Sequence, residues 1–178
     1  MKRSTMAGVL ATAAASVALL AGTAGTAAAG APEPGAAYHP DVDWITCQVN
    51  QERAAHGLPG LRLSDRASEV AGAHARDMAG RGRLSTVGSD GRDLRTRLTD
   101  AGLFSAHAEE FMYSGYRNDA YFADTVTDPD PGNDIYASLM SREVTAVGIG
   151  YDRAYWDVDL LGPHRKLVTR AAVCAAAP

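Results

Sequence analysis

Residues 64–82 read SDRASEVAGAHARDMAGRG, and the spacing within them decides what kind of chain this is. Ala67, Val70, Ala71, His74, Ala75 and Met78 recur at helical intervals, so one face of a helix is apolar and the opposite face carries the charges. Ser64 or Asp65 can cap its start, and Gly80 and Gly82 end it. No other segment of the chain is so cleanly amphipathic. A helix of this kind buries its stripe against another layer, which calls for a layered domain rather than an extended or disordered chain.

Working outward, Trp44, Ile45, Val49 and Ala54 predict an earlier helix over residues 43–56, stopped by Gly57 and Pro59. Downstream, Leu94, Leu98 and Ala101 suggest a third helix ending at Gly102. Asn118 can cap a short helix carrying Ala120, Ala123 and Val126, and residues 135–140 allow another. The segment 128–132 (DPDPG) must turn, because two prolines and a glycine do not fit regular structure. Residues 144–151 and 155–161 read as two strands of a hairpin around Asp152, Arg153 and Ala154, and residues 167–174 offer a third strand. Helices first and strands last predict an α+β domain with a small antiparallel sheet.

The ends of the chain are of a different character. Met1-Lys2-Arg3, an uncharged run from Met6 to Gly22 and the Ala27-Ala28-Ala29 site make residues 1–29 a secretory signal peptide by pattern. The run is too short and too rich in alanine for a spanning helix, so no stable membrane anchor is expected. Residues 30–40, with three prolines, are expected to form a flexible leader, and residues 41–178 a single domain. The 178-residue chain is 46% hydrophobic, an ordinary globular value. It has 17 basic and 21 acidic residues; losing Lys2 and Arg3 leaves 15 against 21, a net charge of −6. Such a chain does not suit a phosphate backbone, so nucleic acid is excluded as a partner. The two cysteines, Cys47 and Cys174, lie near the ends of the secreted portion, where thiols oxidise, and a disulfide is expected. The alternative, a catalytic cysteine, would leave its companion thiol exposed to oxidants.

Several short motifs then fall in a familiar order: Asn50-x-x-Arg53 with Gly57-Leu58-x-x-Leu61, Ala71-x-x-His74-Ala75-x-x-Met78, Ser89-Asp90-Gly91, Val147-Gly148-Ile149-Gly150 and Tyr155-Trp156. Together they resemble the bacterial branch of the CAP superfamily, the family of cysteine-rich secretory proteins, venom antigens and plant pathogenesis-related proteins. The resemblance implies an α-β-α sandwich. It also implies a cavity, and there this sequence departs from the family. Where bacterial members read Phe-Ser-His, this chain has Leu84-Ser85-Thr86; where they read Glu-Asn-Ile-Ala, it has Glu109-Glu110-Phe111-Met112. The His-Arg pair that precedes the strands falls at Ile135-Tyr136 or, with a two-residue insertion, at Asn133-Asp134.

The candidate binding residues are therefore Glu109, which keeps the family acid, His74, Thr86 and Glu110, the last expected to be solvated. With the paired histidines gone, no catalytic residue, cofactor or tightly bound metal is expected in that cavity: one imidazole from His74 or His107 with Glu109 falls short of a zinc site. The acidic turn 128–134 lacks the EF-hand glycine and terminal glutamate. Gly148-Ile149-Gly150 is no dinucleotide fingerprint, and close packing in a strand explains it. The expected role is that of a secreted, extracellular, monomeric binding or structural module for a cell-wall component, lipid or protein. The alternative is a secreted hydrolase with His74 and Glu109 as base and acid.

Overall fold

The computed structural model describes residues 37–164 and 166–174. The signal peptide at 1–29 and most of the leader lie outside the described residues. Along the chain run α1 (Val42–Ala55), β1 (Arg62–Leu63), α2 (Asp65–Arg81), α3 (Leu94–Asp100), β2 (Ala108–Ser114), α4 (Asp119–Val126), α5 (Asp134–Leu139), β3 (Ala146–Asp152) and β4 (Tyr155–Leu161). Each helix predicted from spacing is present, and the caps follow the expected chemistry. Asp41, Ser64, Asp93 and Asn118 accept backbone N–H groups at the starts of α1, α2, α3 and α4. Gly82, at φ 66°, closes α2 in the left-handed region.

The four strands form one sheet in the order β1-β3-β4-β2. The hairpin of β3 and β4 is the one expected, turning on Arg153 and Ala154 at positive φ, a two-residue turn whose twist suits the strands. Two strands come earlier than the C-terminal pair. β2, between α3 and α4, pairs antiparallel with β4, and β1 adds a two-residue parallel edge on β3. The third strand expected at 167–174 is reduced to a single bridge between Leu63 and Arg170, because β1 is too short to offer more partners.

The sheet is covered on both sides, giving the α-β-α sandwich. On one side Ile45 and Val49 of α1, Phe122 and Val126 of α4, and Ile135 and Leu139 of α5 pack on Val147, Ile149, Trp156, Val158 and Leu160. Trp156 is fully buried and stacks on Phe122 with ring centroids 3.9 Å apart. Tyr38, within the stretch read as leader, packs on this cluster, edge-on to Tyr151, so the folded domain starts before residue 41. On the other side α2 lies against β3 and β4. The glycines of β3 make this possible: a Cβ on Gly150 would overlap the Ala71 carbonyl carbon, and one on Gly148 would sit 2.5 Å from the Ala67 backbone.

Two of the family-like motifs serve as clamps. The Asn50 side chain exchanges two hydrogen bonds with the Leu61 backbone (2.7 and 3.0 Å). Arg53, buried, donates to the carbonyls of Pro59, Leu139 and Ser141, tying α1 to the end of α5. Cys47 and Cys174 are joined in a disulfide, Cα atoms 5.7 Å apart, which fixes the last described segment to α1.

Candidate functional site

Side chains alternate across a strand, so register alone sorts the sheet residues by face. In β4, Trp156, Val158 and Leu160 point to the α1/α4/α5 side, and Asp157 and Asp159 to the α2 side. Gly150 and Gly148 stand opposite Asp157 and Asp159 on β3, and on β2 Asp159 faces Glu110. The glycines let α2 close over this face, so the two aspartates, at 0% exposure, are buried rather than solvated. From α2, His74 reaches in, and from α3, Arg97.

Five ionisable groups thus meet under α2. Arg97 donates to Glu110 Oε1 from one arm of its guanidinium and to the Arg92 carbonyl (2.8 Å) and Thr86 carbonyl (3.3 Å) from the other. His74 Nε2 is 2.7 Å from the Ser85 carbonyl, to which it donates, and 3.8 Å from Glu110 Oε1. All four carboxylate oxygens of Asp157 and Asp159, and His74 Nδ1, are buried without a hydrogen-bond partner. One coordinating atom each from His74, Glu110 and Asp157 can be chosen so that all lie within 4.8 Å of one another.

The electrostatics follow from three carboxyls facing one guanidinium. Burial pushes the Glu110 carboxyl upward, against the opposing pull of Arg97. Asp157 and Asp159 are pushed well above the carboxylate range, by burial first and then by their acidic neighbours. His74 is held below its ordinary value by burial and by the charge on Arg97, so it is neutral at physiological pH.

The residues singled out from sequence separate. His74 and Glu110 meet. Glu109, next to Glu110, necessarily points to the other side of the sheet, where it pairs with His107 (2.8 Å) in a partly exposed position; Glu143 approaches the other nitrogen of that ring at 3.4 Å. Thr86 is exposed and supplies only its carbonyl. Glu110 is not solvated as expected: its side chain is 5% exposed, because β2 pairs with β4 in the register that turns it under α2. Of the two places the resemblance allows for the family's His-Arg pair, Ile135 fills the apolar core and the Tyr136 hydroxyl meets Glu52 and His56 at the surface, while the Asn133 side chain donates to the Thr125 and Asp128 carbonyls. Asp157 and Asp159 were missed from sequence. Their signal was the YWDVDLL alternation of 155–161 set against Gly-x-Gly on the preceding strand, since glycines at i and i+2 announce a covered face.

The matches to known proteins agree with this architecture. Residues 48–158 match the family described as CAP: Cysteine-rich secretory protein family, and the chain belongs to it. Solved structures with the same fold include an extracellular protein containing a SCP domain from Bacillus anthracis, at TM-score 0.61 and 18% identity over 67% of this chain and 39% of that one. A cysteine-rich secretory protein from Staphylococcus aureus is similar at TM-score 0.54 and 15% identity, covering 67% of this chain and 37% of that one. An outer surface protein of Borrelia burgdorferi is similar at TM-score 0.57 and 12% identity, over 67% of this chain and 90% of that one. The chain thus spans less than two fifths of the first two. No curated protein matches it.

Proposed function

We propose that this chain is a secreted, non-catalytic CAP module that presents its surface to an extracellular ligand: a cell-wall component, a lipid or a protein. The observation that carries the reading is the separation of His74 from Glu109. A hydrolase built on them needs both groups on one substrate. Strand alternation sends Glu109 to the opposite side of the sheet from His74, and the His74 ring is enclosed beneath α2. Neither Ile135-Tyr136 nor Asn133-Asp134 supplies an imidazole at the family's second histidine position. The extracellular and outer-surface descriptions of two similar structures support secretion.

For a binding surface the strongest support is a cleft of about 330 Å³ between α3 and the segment after β4, lined by Leu98, Leu103, Phe104, Ala108 and His164. Phe104 is 49% exposed there, a large apolar surface left to water. The test uses residues 30–178 with the disulfide formed. Peptide, glycan and ester substrates are expected to show no turnover, while co-sedimentation with peptidoglycan, lipid vesicles or a surface-protein extract should be lost in Phe104→Asp. Turnover that falls more than tenfold in Glu109→Gln at unchanged melting temperature overturns the proposal.

A further inference from the structure

The cluster beneath α2 has a chemistry that neither the module reading nor the family cavity uses. Asp157 and Asp159 are buried acidic side chains whose oxygens receive no hydrogen bond from a donor among the described residues. A buried carboxylate without a hydrogen bond or counter-charge is costly, and native proteins give such groups a partner. Arg97 balances one of the three acids, through Glu110. In the metal-free chain, burial and their acidic neighbours favour the protonated carboxyls of Asp157 and Asp159, and a divalent cation would take the place of those protons, which pass to solvent.

We propose that His74, Glu110 and Asp157 form a zinc site that holds α2 and α3 onto the sheet. The three ligand atoms already lie within 4.8 Å of one another, on three separate elements, α2, β2 and β4. Zinc takes imidazole and carboxylate ligands at about 2.0–2.2 Å, so each ligand atom has to move only a short way toward a shared centre. One nitrogen with two carboxylates suits zinc better than calcium, which requires six to eight oxygens. Arg97 contacts a single oxygen of Glu110 and orients that carboxylate, the outer-shell role that metal ligands ordinarily require. Asp159 stands directly opposite Glu110, beside the ligand set. Nδ1, which carries no proton while Nε2 donates to the Ser85 carbonyl, can bind with its free lone pair; binding through Nε2 moves the ring proton to Nδ1 and gives up the Ser85 contact, and any proton on the ligand carboxyls passes to solvent. The absence of tight metal expected from the sequence counted His74 or His107 with Glu109, Thr86 and positions 133–136; this site keeps His74 and takes Glu110 and Asp157 in place of the others.

The site stands apart from the module reading, and its test does not involve turnover. Residues 30–178, disulfide intact, are stripped with chelator and desalted. Zinc chloride is then titrated by calorimetry, with retained metal counted by mass spectrometry and melting followed with and without zinc. The expected result is one zinc per chain at micromolar affinity or tighter and a melting temperature raised by several degrees, with calcium chloride giving neither. Glu110→Gln and Asp157→Asn should each weaken zinc at least about tenfold, and His107→Ala should leave the stoichiometry unchanged. Zinc should also shift the ring-nitrogen resonances of His74 in the ¹⁵N-histidine-labelled wild-type chain, a measurement that needs no variant to fold. No zinc bound at about 100 µM, a level well above the micromolar affinity expected, binding lost in His107→Ala, or shifts confined to His56, His107 or His164 would each overturn the proposal.

Discussion

The two sides of the sheet are both buried, yet they are built on opposite chemistry. Against α1, α4 and α5 the strands present Val147, Ile149, Trp156, Val158 and Leu160, residues that need only volume and contact. Against α2 they present Gly148, Gly150, Asp157, Asp159 and Glu110, with a small apolar cluster of Ala67, Leu98, Leu103, Ala146 and Leu161 at one end. The first side is held by side chains filling space. The second is held by backbone approach, which the alanines of α2 and the glycines of β3 permit, and it encloses ionisable groups. Burial therefore marks an apolar core on the first side; on the second it also encloses a cluster of ionisable groups.

The comparison is most directly broken on the apolar side. Trp156→Ala removes the largest enclosed side chain and its stack on Phe122, and is expected to cost about 3–5 kcal/mol, read as a fall in the urea midpoint. A cost below about 1 kcal/mol would mean that this side is not the principal core. On the α2 side the corresponding lesion is addition rather than deletion. Gly150→Ala forces a methyl into the Ala71 backbone and should cost about 3 kcal/mol, the upper part of the overpacking range, with α2 amides losing hydrogen-exchange protection first. Uniform loss across all helices would show that the two sides unfold as one unit.

A third substitution separates the sides by sign. In the chelator-treated chain, Asp159→Asn removes, without changing its shape, a fully buried carboxyl that has to take up a proton on folding at neutral pH, and stability is expected to rise by about 1 kcal/mol in a denaturant titration at that pH. A polar-for-polar change that stabilises has no counterpart on the apolar side; a loss of similar size would mean Asp159 is well satisfied.

The smallest effect lies at the sheet margin. Asp43 accepts from both arms of Arg170 (2.6 and 2.9 Å) and from the Val173 N–H, and the Arg170 hydrogen bond holds its carboxyl below the ordinary carboxylate range. Its contribution is therefore present above the unfolded-state value of about 3.9 and is lost as pH falls through the lower folded-state value. Asp43→Asn should cost at most about 1 kcal/mol at pH 7, because the pair is partly exposed, and the gap from wild type should narrow below about pH 4. A gap independent of pH would assign the effect to the Val173 contact instead.

Helix positions, their caps and the β3–β4 hairpin were legible in the sequence because each depends on neighbours within a few residues: the spacing of Ala67, Ala71, His74 and Met78, the cap at Ser64, the two glycines beyond Met78. The family motifs were legible for the same reason, their order being a property of the chain. The alternation in 155–161 was equally local and carried, unread, the placement of Asp157 and Asp159 on one face. What covers that face is not local. It depends on α2, some eighty residues away, settling against Gly148 and Gly150, and on β2 adopting the register that turns Glu110 inward and Glu109 away. A one-residue shift of that register would exchange the two glutamates, since successive side chains point to opposite sides. The sequence by itself determined which residues travel together on one side of each element; only the tertiary structure decided which of those sides meet, because that choice rests on packing between segments far apart in the chain.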